Sequence, residues 1–197
     1  MGQIQKPLDQ FELTIRGPKA SDLPAYTALL QHAYQGAFTE PSIGLTADCF
    51  KIENFQTPEK QTEYLSNLTN NSENEKTWLG FYGEKLIGTI TVTNHGEHEV
   101  GEHEVELRRF YVAPEYQSRG VGSQLWNKAM EFVGDKDIML SMYAHNQRLL
   151  AMYQRRGFGV DTLRGDNGYY MRHWKEWPED LQVKCVYLKK ESNRRTV

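Results

Sequence analysis

Cysteine is nearly missing from this chain. Cys49 and Cys185 are its only two, and they stand far apart. That speaks against a disulfide framework and lacks the paired spacing of a zinc ribbon. No run approaches the roughly 20 apolar residues of a membrane-spanning helix, and the opening "MGQIQKPLDQ" lacks the apolar stretch of a secretion signal. Gly2 follows Met1, but Lys6 stands where a myristoylation signal needs Ser or Thr. Positive charge is in no surplus. Lys and Arg number 23 against 26 Asp and Glu, a net of −3, so the balance does not point to nucleic acid. These absences point to the cytoplasm, with neither a membrane nor a nucleic-acid partner. What remains is ordinary globular material, 39% apolar and 25% charged over 197 residues. That length suits a single domain, residues 1–197, with a core of about 11–190.

Periodicity divides the chain into alternating patterns. "FELTIR" alternates, with Phe11, Leu13 and Ile15 on one face, and reads as a strand. "SDLPAYTALLQHAY" offers Ser21 or Asp22 as a helix cap, Pro24 in the first turn and an apolar stripe of Leu23, Tyr26, Leu30 and Ala33. Residues 34–56 suggest loops and short helix. Residues 57–68 read as a capped helix with Tyr64, Leu65 and Leu68 apolar, and 70–75 as a polar loop. Residues 77–93 suggest two strands turning at Gly83-Glu84. "VELRRFYV" is a strand ended by Pro114, and "GVGSQLWNKAMEFV" a helix with Val121, Leu125, Ala129 and Phe132 on one face. A strand, a short helix closed by Gly157 and two further strands complete the order β, α, α, β, β, β, α, β, α, β, β. Helices and strands mix without strict alternation, which predicts an α/β (α+β) domain: a central mixed sheet with helices on both faces.

Chemistry concentrates in "VAPEYQSRGVGSQLW", residues 112–126. A strand stops and the loop Gln117-Ser118-Arg119-Gly120-Val121-Gly122 opens directly into a helix. Gly120 and Gly122 let backbone N–H groups approach a ligand. The helix end, reached by Ser123, adds unpaired N–H groups and the positive end of its dipole. Together they suit a phosphate or pyrophosphate, and Arg119 adds charge. A tight turn with glycines used only for packing is the plainer alternative. The Gly-Lys-Ser/Thr ending of a P-loop is absent, and so is the third glycine of a dinucleotide fold.

Just upstream lies "GEHEVGEHEVE", residues 96–106, a five-residue unit in tandem. With His95 it gathers three histidines, the others being His98 and His103. His98 and His103 are five apart and fall on opposite faces of an ideal strand. Gly96 and Gly101 favour a turn, so a solvated hairpin tip competes with a metal site, and no known metal spacing is present.

The stretch "ELRRFYVAPEYQSRGVGSQLW" resembles the acetyl-coenzyme A signature of the GNAT superfamily of N-acetyltransferases. A second block at a suitable distance, "LSMYAHNQRLLAMYQRRGF" (140–158), resembles the family's strand, asparagine and helix ending in Tyr-x-x-x-Gly-Phe. The element order is similar over roughly residues 11–190, the first 70 by pattern only. The resemblance implies a GNAT-like, mostly antiparallel sheet with a splay between two central parallel strands. It also implies an acetyl-CoA-dependent N-acetyltransferase, acting on a small-molecule or peptide amine by direct attack in a ternary complex. No metal is expected, and a homodimer stays open as an assembly.

The resemblance further implies residue roles. Backbone groups of Phe110, Tyr111 and Val112 hold the pantetheine arm like an added strand. The pyrophosphate lies on the amides of Gln117, Ser118, Arg119, Gly120, Val121, Gly122 and Ser123. Asn146 bonds the cofactor arm, though "HNQRLL" equally makes it a helix cap. Arg155 reaches the ribose 3′-phosphate or simply faces solvent. Tyr153 donates a proton to the departing thiolate, or is a core aromatic with Leu149 and Leu150. Tyr143 and Tyr111 are alternatives for ordering water or packing on the thioester. An alkylammonium with a pKa of about 10 must lose a proton before attack. Glu106 is the candidate base, acting through water, or a strand residue salt-bridged to Arg108 or Arg109. Alternation puts Glu104 and Glu106 on one face unless a bulge intervenes. The acidity of Glu97, Glu99 and Glu102, with Glu40, Asp48 and Glu53, would attract cationic substrates, and "IGLTADCF" is similar to bacterial enzymes acetylating polyamines or other small amines. A non-catalytic acyl-CoA sensor and a metal-binding interaction protein are the other classes.

Overall fold

The computed structural model describes residues 12–96 and 98–192. Phe11 and Glu97, both named above, lie outside the described residues. In chain order the elements are β1 (Leu13–Arg16), α1 (Leu23–Phe38), α2 (Pro58–Thr69), β2 (Glu75–Tyr82), β3 (Lys85–Thr93), β4 (Glu104–Val112), α3 (Val121–Val133), β5 (Asp137–Tyr143), α4 (Gln147–Gln154), β6 (Gly159–Val160), β7 (Tyr169–Arg172) and β8 (Val183–Lys190). The order is the expected one plus β6, whose two residues are too few to carry a periodic signal. Between α1 and α2 the chain makes three 3-10 turns, Pro41–Ile43, Ala47–Phe50 and Ile52–Phe55.

The strands form one eight-stranded sheet in the order β1-β2-β3-β4-β5-β8, with β6 and β7 both paired to the far edge of β8. Every pairing is antiparallel except β4 with β5. One face packs α3 and α4 over an aliphatic cluster that includes Ile90, Val105, Leu125, Leu140 and Leu188. The other face carries α1, α2 and the 3-10 turns over an aromatic cluster that includes Tyr26, Phe50, Phe55 and Trp177.

Local chemistry explains the helices. Thr57 caps α2, its hydroxyl accepting from the Lys60 amide, with Pro58 in the first turn. On α3 the buried stripe is Val121, Leu125, Ala129 and Val133. Phe132, expected on that stripe, is half-buried at its margin against Trp78, ring centroids 5.9 Å apart. On α2, Leu65 is 39% exposed while Tyr64, Asn67 and Leu68 are buried. An apolar residue at the edge of a stripe gains nothing when its partner surface ends short of it.

Two glycines bring α3 close to the sheet. Gly80 on β2 and Gly88 on β3 are cross-strand partners. A Cβ on Gly88 would stand 2.8 Å from Leu125 Cδ1. Leu125 therefore occupies the trough between them and is fully buried, which contributes about 2 kcal/mol.

Candidate active site

Strands β4 and β5 run parallel for only three residue pairs, Glu104 with Asp137, Val105 with Ile138 and Glu106 with Met139. Beyond them β4 stays with β3 as far as Val112, and β5 stays with β8 as far as Tyr143. The strands part, and a cleft of about 490 Å³ opens between them. Its walls include Leu107 to Tyr111 on one side and Leu140 to Tyr143 on the other. A strand donates and accepts on both edges, so the β5-side backbone groups of β4 beyond Glu106 lack a neighbouring strand.

β4 carries a bulge at this point. Thr91 pairs with Arg108 and Thr89 with Tyr111, so Arg109 and Phe110 together oppose Ile90. Arg109 has φ +48°. Because the bulge follows Glu106, Glu104 and Glu106 keep the shared face that alternation gives them. The extra residue turns two consecutive arginines toward α2: the Arg108 guanidinium lies 3.6 Å from a Glu63 oxygen, and Arg109 donates to the same oxygen.

At the end of β4 a 3-10 turn, Pro114–Tyr116, leads through Gln117 to Gly120 and into α3. Ser118 and Gly120 have φ of +61° and +81°. The first amide of α3 with an in-loop acceptor is that of Gln124, bonded to the Gly120 carbonyl at 3.0 Å. Gly120 itself has no side-chain cap. The amides of Val121, Gly122 and Ser123 thus sit in the helical first turn, where no intrahelical acceptor exists. Phe110 and Val112 point to the α3 side, where the Phe110 ring lies 5.9 Å from Trp126. Tyr111 points the other way, 5.1 Å from Tyr34. The Gln117 side chain donates to the Val112 carbonyl at 3.2 Å.

Tyr153 on α4 lines the cleft and is 5% exposed, its ring edge-on to Phe158 at 5.4 Å. Burial pushes its hydroxyl above the ordinary tyrosine range, with Arg156 pulling weakly the other way. It therefore keeps its proton throughout the neutral range. Tyr143 and Tyr111 also line the cleft, and burial raises both strongly. The Tyr143 hydroxyl is buried without a hydrogen-bond partner among the described residues. Asn146 caps α4, accepting from the Leu149 amide at 2.9 Å, and its NH₂ donates to the Ala37 carbonyl at 2.7 Å. It joins α4 to the end of α1. Arg155 is exposed at the end of α4, outside the cleft lining.

Glu106 lines the cleft at the last rung before the splay and is 3% exposed. Arg108 Nε lies 4.0 Å from its carboxylate. The repeat folds back over it: a Cβ on Gly96 would fall 1.6 Å from Glu106 Oε2, so only glycine permits this approach. Glu104, 4% exposed, turns to a different set, accepting from Arg164 and facing Lys189 at 3.4 Å.

The loop holding the repeat joins antiparallel β3 and β4, and His95, Glu99, Glu102 and His103 are exposed on it. His98 is not. Its ring lies edge-on to Tyr170 and Tyr187, and its nitrogens stand 3.1 Å from the Ser141 hydroxyl and 3.2 Å from the Tyr187 hydroxyl. Among the described residues no group of three or more His, Cys, Asp or Glu could hold a metal ion. No local pattern places Tyr170 and Arg172 of β7, or Lys60 and Glu63 of α2, at the cleft, and all four line it.

A sequence profile of the Acetyltransferase (GNAT) family matches residues 45–158, more than half of the chain. A curated relative, the uncharacterized protein ML0378 of Mycobacterium leprae, is 31% identical over 96 residues, which cover 45% of this chain and 26% of that protein. The match therefore spans about a quarter of that relative's length. Among solved structures, the acetyltransferase of the GNAT family from Streptococcus pneumoniae superposes with a TM-score of 0.62 at 23% identity, over 91% of this chain and 99% of that one. The PaiA N-acetyltransferase from Thermoplasma acidophilum, in complex with coenzyme A, gives 0.61 at 17% identity over 91% and 99%. The ribosomal-protein-S18-alanine N-acetyltransferase from Escherichia coli gives 0.60 at 17% identity over 94% and 99%. At these identities the superpositions speak for the fold. No helix among the described residues is long and apolar enough to cross a membrane. With the profile match, the parted parallel strands and the glycine loop at the foot of α3 in agreement, the chain belongs to the acetyltransferase (GNAT) family.

Proposed function

We propose that the protein transfers the acetyl group of acetyl-CoA to a primary amine by direct attack in a ternary complex. The observation that carries this reading is the parting of β4 and β5 beyond Glu106 and Met139, with Tyr153 lining the resulting cleft. Pantetheine has amides that suit the unpaired edge formed by Phe110, Tyr111 and Val112. The pyrophosphate suits the amides of residues 118 to 123 at the N-terminus of α3, whereas the Gln117 amide already donates to the Pro114 carbonyl at 3.2 Å. Asn146 and Arg155 stand at opposite ends of α4, as its N-cap and its C-cap. A bond from Asn146 to the donor's arm requires its NH₂ to leave the Ala37 carbonyl, and Arg155 is exposed enough to meet a 3′-phosphate.

The acceptor nitrogen arrives from the α1/α2 face, where Glu106 lies, and sheds a proton through water to that carboxylate. Its lone pair attacks the thioester carbonyl. The C–N bond forms, the C–S bond breaks, the thiolate takes the proton of the Tyr153 hydroxyl, and the second proton that the acylated nitrogen sheds returns to Tyr153 through water. Burial keeps the Tyr153 hydroxyl protonated in the neutral range, which leaves it a hydrogen-bond donor for the sulfur on which negative charge develops. Release of free coenzyme A thiol, followed against a panel of polyamines, amino acids, aminoglycosides and peptides, tests the reading. Thiol release dependent on an amine is expected. Tight acetyl-CoA binding with no release for any amine would instead favour an acyl-CoA-binding sensor.

A further inference from the structure

We propose that Ser141 and His98 form a proton relay for the acceptor amine, a second base beside Glu106. This rests on the acetyl-transfer reading above and adds two residues to it. Ser141 lies on β5 and lines the cleft. Its neighbours Leu140 and Met142 pack on the α3/α4 side of the sheet, whereas Tyr143 packs on the α1/α2 side. Alternation therefore turns Ser141 to the α1/α2 side, from which the acceptor arrives. Met139 is the β5 partner of Glu106. Ser141 stands two residues beyond it, where the strands have already parted.

Behind Ser141 runs a chain of polar atoms whose hydrogens are assigned from the network itself. A guanidinium only donates, so the Tyr170 oxygen accepts from Arg172 at 2.8 Å. The Tyr170 hydrogen then goes to the Ser141 oxygen at 3.0 Å. Ser141 keeps its own hydrogen for His98 Nε2, 3.1 Å away. Nε2 is then the accepting nitrogen, and the ring hydrogen lies on Nδ1, which donates to the Tyr187 hydroxyl at 3.2 Å. Tyr187 is the cross-strand partner of Ser141, and the Tyr170 and Tyr187 rings meet the imidazole edge-on. A hydroxyl, an imidazole and a third group that orients the ring are the parts of a base relay. The step balances. An ammonium of the acceptor passes a proton to Ser141 Oγ as the Ser141 hydrogen moves to Nε2. A neutral amine and an imidazolium result, with the serine restored, and the amine attacks the thioester as above. His98 is half-buried on the loop between β3 and β4, so the imidazolium keeps contact with water, which takes the proton away. Basicity favours this terminus. The ordinary pKa is about 10 for an alkylammonium, about 6.5 for an imidazole and about 4.3 for a glutamate. Transfer to imidazole is therefore about 100-fold less unfavourable than transfer to a carboxylate. Among the described residues, the titratable and charged groups around the relay are Tyr170 and Arg172 on β7, Tyr187 and Cys185 on β8, Arg164 before β7, Glu106 on β4, and Glu99 next in the loop. Arg164, Arg172, Cys185 and Glu106 all act on the Tyr187 hydroxyl that meets His98. Together they set the pH at which the imidazole gains its proton, which a pH profile reads directly.

The test follows kcat/KM for thiol release from about pH 6 to about pH 10, at saturating acetyl-CoA, with the amine of the panel above that releases most thiol. His98→Gln keeps a side chain that hydrogen-bonds but takes no proton. Its kcat/KM is expected to fall about 10- to 100-fold near pH 8. The gap from wild type closes at both ends. Below about pH 6 the wild-type imidazole is already charged, and toward about pH 10 the amine loses its proton unaided. Ser141→Ala is expected to open the same gap, and the double variant no more than either alone. Acetyl-CoA binding by calorimetry reports that each variant is folded, and should one fail to fold, the other decides. A gap that is equal at every pH means that the two residues only shape the cleft, and it overturns the relay. Wild-type kcat/KM in either variant does the same, and so do losses that add in the double. Each of these outcomes leaves amine-dependent thiol release intact. Absence of release with any amine removes acetyl transfer itself, and the relay falls with it.

Discussion

The two halves of β4 are made of similar residues and behave differently. From Glu104 to Glu106 the strand lies beside β5, joined by β3 only at Glu106, and is buried. From Arg108 to Val112 it has one neighbour, carries a bulge and is half-buried. Each half holds charge on the same face of the sheet. In the first half, Glu104 is enclosed by Arg164 and Lys189 in a cluster that knits the far strands together. In the second, the arginines meet a cleft. Glu106 stands at the junction, paired like its predecessors and facing the opening like its successors. The same chemistry thus becomes structure or site according to whether β5 stands beside the strand.

The largest effect is expected opposite the open half. Tyr153→Phe removes one oxygen from the cleft wall and should lower kcat by about 10²- to 10³-fold, the usual worth of a positioned proton donor, with acetyl-CoA still bound. Steady-state turnover beside a calorimetric Kd checks this. Wild-type turnover would return Tyr153 to the status of a core aromatic packed on Phe158.

In the closed half, Glu104→Ala removes a buried carboxylate from Arg164 and Lys189, which keep Asp161 and Asp137, and should cost about 1.5 to 3 kcal/mol of stability, read by urea denaturation. Arg164 and Lys189 retain some access to water, which holds the loss toward the lower end of that range. A loss below about 1 kcal/mol would mean the cluster contributes no more than a surface pair.

Glu106→Gln decides to which half the junction belongs. If Glu106 takes the acceptor's proton, kcat/KM falls about 10- to 100-fold while the urea midpoint hardly moves. A change of the opposite kind, with stability lost and rate kept, would make Glu106 a second Glu104.

Legibility in the sequence follows the same division. The closed, regular parts were readable because burial imposes a period: 2 on the strands, 3.6 on α3. The glycine loop was readable because a positive φ restricts residue choice at Gly120. The alternation of Glu104 and Glu106 was readable because the bulge comes after them. Less could be read where long-range register decides. Arg172 meets the cleft only because β7 pairs with β8 and β8 with β5, and no local pattern encodes two successive pairings. His98 differs from His95 and His103 only in the ring pocket that Tyr170 and Tyr187 make for it. The stripe errors at Leu65 and Phe132 have the same origin, since helical periodicity fixes a face but leaves open where the neighbouring surface stops.

The smallest effects separate two glycines that sequence alone treats alike. Gly120 has φ +81° and open space around its missing Cβ. Gly120→Ala therefore costs backbone strain alone, about 1 kcal/mol, and should lower stability and acetyl-CoA affinity together. Gly122 lies inside α3, and a Cβ there would meet Phe110 at an ordinary 3.5 Å. Nothing in the protein requires glycine at this position. Gly122→Ala should even stabilise the helix by several tenths of a kcal/mol, yet weaken acetyl-CoA if a phosphate comes up against that backbone. A raised melting temperature with a raised Kd is the expected pair of readings. A raised melting temperature with Kd unchanged would mean that the ligand keeps its distance from the first turn of α3, and that the open half of β4, more than the helix end, holds the donor.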